Sequence, residues 1–177
     1  MATIYNPNIV TDNLVFCVDA ANTKSYSGSG TDWKDLSGQG NNGTLTNGPT
    51  FNSFNGGSIL FDGSNDSISI SNSSSLNTTP TVTISSWINP SGFGGGNFGR
   101  IIDSQDSYNF FLDNTVTHGT LGVRYWPNTG DALSVSNVVT LNEWANFTVV
   151  HSGSNVVIYK NGISIGTSGS FSTLPST

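Results

Sequence analysis

The stretch "NEWANFTVVHSGSNVVIYKNGISIG" (Asn142 to Gly166) sets apolar bursts against short polar punctuation. "EWANFTVVHSG" and "NVVIYKNGISIG" are rich in Val, Ile, Phe and Tyr and are bounded by Gly, Asn and Ser, which is the pattern of strands. Inside the second run, Lys160-Asn161-Gly162 marks a tight turn. Asn-Gly supplies the two positive-φ residues that a type I′ hairpin requires.

Similar segments recur about every 8 to 15 residues along the chain. They are "LVFCVDA" (Leu14 to Ala20), "GTLTN", "SILFDG", "DSISIS", "TVTISSWINP" (Thr81 to Pro90), "RIIDS", "YNFFLDN", "TLGVRYW" and "ALSVSNVVT". Ile68 and Ile70 alternate with serines, so one face of that strand is buried and the other is wet. No segment of about ten residues or more carries a 3.6-residue apolar period. About eleven short strands without a helix predict an all-β fold of two antiparallel sheets packed face to face. Composition shows no break, so one domain is expected over 14–168, with an N-terminal arm (1–13) and a C-terminal tail (169–177).

The composition narrows the function. Of 177 residues, 9% are charged and 34% hydrophobic, while Gly, Ser, Thr and Asn make up about half. Five basic residues against a net charge of −6 leave no Lys/Arg cluster to displace counterions from phosphate, so nucleic-acid partners are not expected. No apolar run approaches the ~20 residues of a membrane span, and the N-terminus lacks the basic and apolar regions of a secretory signal. The single cysteine, Cys17, excludes an internal disulfide and reads as a small buried apolar residue.

"GQGNNG" (Gly38 to Gly43) has the glycine spacing of a dinucleotide-binding loop. Such a loop needs a strand before it and a helix after it to aim free N–H groups at pyrophosphate. Here "TDWKDLS" precedes it, and "TLTNGPTF", with its Thr residues and Pro49, follows it. The glycines therefore read as a loop-to-strand joint, with Trp33 and Leu36 pinning the loop. Phe61 reads as a core residue next to a turn in which Asp62 accepts backbone N–H bonds. Trp87 and Ile88 in one strand, and Trp144 and Phe147 in another, read as inner-face residues.

In this order, W-x-D-L-S-G-x-G-N-x-G (Trp33 to Gly43), F-D-G-x-x-D (Phe61 to Asp66), the Trp87 strand, Glu143-Trp144 and I-Y-x-N-G (Ile158 to Gly162) resemble the laminin-G-like branch of the concanavalin A-like jelly rolls. The resemblance implies an antiparallel two-sheet jelly-roll sandwich. The branch usually continues with more strands after I-Y-x-N-G, so it also implies an incomplete C-terminal edge, open to strand addition by a partner. The opening segment, Leu14 to Gly38, is similar to modules of tailed-bacteriophage structural proteins. That similarity implies a non-catalytic virion protein (capsid decoration, head fibre or tail-associated) made in the host cytoplasm. Its partners would be other virion proteins, copies of itself and host-surface glycans. The alternative is a lectin-like carbohydrate-binding module.

Glucanases with this fold use two carboxyl groups about 5 Å apart. This chain has one glutamate, Glu143, and Asp103 and Asp106 read as loop residues, so a glycoside hydrolase is disfavoured. His118 and His151 read as solvated turn residues, and no G-x-S-x-G elbow accompanies them. Asp62, Ser64 and Asp66 are candidate calcium ligands, with turn capping as the plainer reading, and Asp103 with Asp106 offers a second acidic pair. The sugar-site candidates are Tyr125, Trp126, Asn128 and Asp131. Adjacent aromatics at a strand end cannot both face the core.

Overall fold

The computed structural model describes residues 10–76, 81–94, 98–104, 108–113, 119–125, 131–153 and 155–168. The chain divides into two compact units, Met1–Asn77 and Thr78–Thr177. Most of the N-terminal arm and all of the C-terminal tail lie outside the described residues.

The first unit holds β1 (Asp32–Trp33), β2 (Gly43–Thr46), β3 (Thr50–Asn52), β4 (Ser58–Leu60) and β5 (Ser67–Ile70). β1, β2 and β5 form one antiparallel sheet in that order, and β3 pairs with β4. Tyr26, 3% exposed, packs its ring against Phe51 at 5.6 Å and edge-on to Trp33 at 6.3 Å.

The Gly38–Gly43 loop is organised by Asp35. Its Oδ1 accepts the N–H groups of Cys17 and Ser37, both at 2.9 Å. Its Oδ2 accepts the Ser37 hydroxyl at 2.6 Å and the Asn41 N–H at 3.0 Å. Burial pushes this carboxyl up, but the Ser37 hydroxyl and the three backbone N–H groups outweigh it and hold Asp35 below the ordinary aspartate range. Buried Asn41 completes the knot, donating to the Val15 carbonyl and Ser75 Oγ and accepting from Ser73 Oγ. Gly38 and Gly40 turn with φ of +89° and +78°. Gly43 opens β2, where a Cβ would lie 2.8 Å from Ile68 Cγ2. The loop-to-strand reading holds, and no helix follows.

Leu14 to Ala20, expected as a strand, has no ladder partner among the described residues. The N–H groups of Cys17 and Asp19 go to the side chains of Asp35 and Ser25 instead. Phe61, expected in the core, is 43% exposed beyond the end of β4.

The second unit holds β6 (Thr81–Ile88), β7 (Phe98–Ser104), β8 (Tyr108–Asp113), β9 (Thr120–Tyr125), β10 (Asp131–Val135), β11 (Ala145–Ser152), β12 (Val156–Lys160) and β13 (Ile163–Thr167). Two antiparallel four-stranded sheets result, ordered β10-β9-β8-β7 and β13-β12-β11-β6. One core lies between them: Phe110, Leu112, Leu121 and Val123 from the first sheet meet Ile84, Phe147, Val149, Val156 and Ile158 from the second. Strict alternation along β11 turns Ala145, Phe147, Val149 and His151 inward and leaves Asn146, Thr148 and Val150 on the outer face. His151, expected as a solvated turn residue, is 2% exposed because it continues the inward phase of this strand. Asp103 is a strand residue of β7, bonded to Arg100 and to Asn109 Nδ2, rather than a loop residue.

Candidate functional site

The outer face of the β13-β12-β11-β6 sheet carries a shallow groove lined by Trp87, Trp144, Asn146 and Asn161. β6 alternates too, burying Ile84 and presenting Ser85 and Trp87 outward. Trp87 is 66% exposed and Trp144 37% exposed, so both depart from the inner-face expectation; Phe147 keeps to it at 1%. The reason is the two-residue strand period: Trp87 adjoins inward-packing Ile88, and Trp144 precedes inward Ala145.

The strand register assembles the groove. Asn146 of β11 stands opposite Trp87 of β6. Trp144, two residues before Asn146, shares its face and lies diagonal to Trp87, within the reach of aromatic side chains across neighbouring strands. On the other side, Asn161 in the β12–β13 turn donates its N–H to the Asn146 carbonyl at 2.8 Å. Its side-chain Oδ1 accepts the Asn146 N–H at 2.9 Å. Asn161 and Gly162 have φ of 50° and 80°, the left-handed pair expected from the Asn-Gly turn.

A polar ladder extends the groove along the sheet. Thr148 donates to Ser85 Oγ at 2.9 Å, and Asn146 Nδ2 donates to Ser85 Oγ at 3.1 Å. These bonds fix the Asn146 amide, while Asn161 Nδ2 donates no hydrogen bond among the described residues. No lining residue is ionisable. About 540 Å³ of open space lies over the groove, within the ~300–1,000 Å³ typical of small-ligand sites. Such an arrangement offers two flat apolar rings and fixed amides to a neutral, amphipathic ligand.

The residues singled out in the sequence lie elsewhere. Tyr125 ends β9 and Asp131 begins β10, bracketing a connection in which Trp126 and Asn128 fall outside the described residues. Asp62 and Asp66 do come together, as turn caps. Asp62 Oδ1 accepts the N–H groups of Ser64 and Asn65, and Asp66 Oδ2 accepts the Asp62 N–H. The Ser64 N–H bond is the main cause holding Asp62 below the ordinary range. Ser64 thus contributes its N–H to this turn, and two carboxylates already spent on backbone donors make a poor start for a calcium shell of 6–8 oxygens. Among the described residues no cluster of three or more His, Cys, Asp or Glu is placed to hold a metal ion. Asp106, of the second acidic pair, lies outside the described residues, as does His118.

Paired antiparallel sheets around one core define the class, an all-β jelly-roll sandwich. The family model of the concanavalin A-like lectin/glucanases superfamily matches residues 62–177, and the chain belongs to that superfamily. No curated protein matches the sequence. Among solved structures, the chain is similar to domain 4 of AbnA, a GH43 extracellular arabinanase from Geobacillus stearothermophilus, in complex with arabinotriose. The two share 13% identity with a TM-score of 0.56, over 80% of this chain and 71% of that one. At that identity the likeness is one of fold.

Proposed function

We propose that this chain is a non-catalytic carbohydrate-binding module whose ligand lies across Trp87 and Trp144. The observation that carries this reading is the convergence of two exposed indoles and two asparagines on one uncharged groove. Pyranose and furanose rings present C–H faces to aromatic surfaces and hydroxyls to amides, so this lining suits neutral sugars. The superfamily supports a sugar ligand, and the arabinotriose bound by the structural neighbour makes arabino-oligosaccharides the first probes. The absence of any acid in the groove lining, and a single glutamate in the chain, support binding without hydrolysis. The virion role expected from the sequence stands on the resemblance of the opening segment alone, and the groove geometry adds nothing to it.

Affinity electrophoresis of the full chain through gels containing arabinan, xylan, β-glucan or galactan tests the proposal. Retardation by at least one neutral polysaccharide, abolished by Trp87→Ala, is the expected result. Unchanged mobility in every gel, together with a silent glycan array, contradicts it.

A further inference from the structure

We propose that the Ser25–Lys34 loop of the first unit is an oxyanion site, taking a sulfate, phosphate or carboxylate group of a ligand. This site precedes the family match and does not rest on the carbohydrate reading of the Trp87 groove.

The loop is closed at its base. The Lys34 N–H donates to the Ser25 carbonyl at 2.8 Å, and the Ser25 hydroxyl donates to the Lys34 carbonyl at 2.6 Å. Between these ends the carbonyls of Ser29, Gly30 and Thr31 are engaged, while those of Tyr26, Ser27 and Gly28 accept no hydrogen bond among the described residues. Ser29 O accepts the Ser27 hydroxyl, Gly30 O accepts the Tyr26 hydroxyl, and Thr31 O accepts the Leu45 N–H. The N–H groups of Ser27, Gly28, Ser29 and Gly30 likewise donate to no acceptor among the described residues.

Gly28 and Gly30 have φ of +90° and +82°, while Ser27 and Ser29 are not in the positive-φ region. Alternation of this sign along successive residues is the backbone arrangement that forms anion-binding nests. A depression of about 430 Å³ opens on this loop, lined by its serines and by Lys24, Thr31, Asp32 and Lys34. Two of the chain's five basic residues thus line it, against one acid. Neither lysine is in an ion pair among the described residues, where the one salt bridge joins Arg100 to Asp103. The unspent amides of the lining residues Ser27, Ser29 and Gly30, together with the two lysines, are the donors an oxyanion requires, while the Ser25 and Ser27 hydroxyls already donate within the loop.

Amide-resolved NMR titration of the full chain tests this. Sodium sulfate, sodium phosphate, galacturonate and, as the uncharged control, galactose are added at constant ionic strength. Saturable shifts confined to residues 24–34 with at least one anion, and none with galactose, are expected. The anion that saturates first identifies the group the site prefers. The double substitution Lys24→Gln/Lys34→Gln weakens that binding about tenfold or more, with the remaining spectrum unchanged. Shifts that never saturate, or that spread over the whole chain, mean an adventitious ion only and overturn the proposal. So does an affinity that the double variant leaves intact.

Discussion

Asn146 stands directly across from Trp87 in the β11–β6 ladder, and its N–H is capped by the side chain of Asn161 from the neighbouring turn. One residue therefore ties β6, β11 and the β12–β13 turn together at the point where the indoles emerge. The groove is a product of register, so its side chains separate cleanly from those of the core one position away.

That separation predicts opposite phenotypes for neighbouring residues. Trp87→Ala removes an exposed ring and changes unfolding free energy by only about 0.5 kcal/mol, while lowering sugar affinity roughly tenfold or more. Phe147→Ala empties a fully buried position and costs about 3–5 kcal/mol. Paired chemical denaturation and binding measurements on the two variants check this.

The Asn161-Gly162 turn sets the third side of the groove. Nothing lies within 4 Å of a Cβ built on Gly162, so Gly162→Ala meets only the strain of its positive φ, about 1 kcal/mol. Asn161→Ala loses both a left-handed-tolerant residue and the acceptor for the Asn146 N–H, costing about 1–2 kcal/mol. Thermal melts rank the two variants, and only Asn161→Ala also weakens sugar binding.

Asp35 gives the first unit a pH dependence. Its folded carboxyl titrates below the unfolded one, so its contribution is complete above the ordinary aspartate value near pH 4 and is lost as pH falls through the folded value. Asp35→Ala lowers stability at pH 7 by about 2–4 kcal/mol through four lost hydrogen bonds and flattens the acid limb. Denaturation series from neutral to acid pH on both proteins measure it. An unchanged acid limb contradicts the assignment.

Cys17 is half-buried, and burial, reinforced by Asp19 and Asp35, pushes its thiol up. With little thiolate at neutral pH, native Cys17 reacts with iodoacetamide several-fold more slowly than the urea-unfolded chain. Equal rates contradict the placement.

The sandwich was legible in the sequence because strand periodicity, Asn-Gly chemistry and the order of motifs all pointed one way. The groove was not, because Trp87 and Trp144 were assigned by hydrophobicity rather than by phase. Adjacent Trp87 and Ile88 cannot share a face, and Trp144 is out of phase with Phe147 by an odd number of residues. Counting in twos from Phe147 places Trp144 outside, and counting from Ile84 and Ile88 along β6 does the same for Trp87. Leu14 to Ala20 misled for another reason: its apolar pattern suits a strand, but side chains as distant as Asp35 take its amides. No local pattern announces such a tertiary bond.

Indole N–H resonances report the central claim most directly. The chain has four tryptophans, and single Trp→Phe variants assign their side-chain signals in ¹H–¹⁵N spectra. Titration with the oligosaccharide of whichever polysaccharide retards the protein should shift the Trp87 and Trp144 indoles saturably and together, leaving Trp33 unmoved. Binding that moves Trp126 alone, with Trp87 and Trp144 silent, would place the sugar on the Tyr125–Asp131 connection and contradict the outer-face groove.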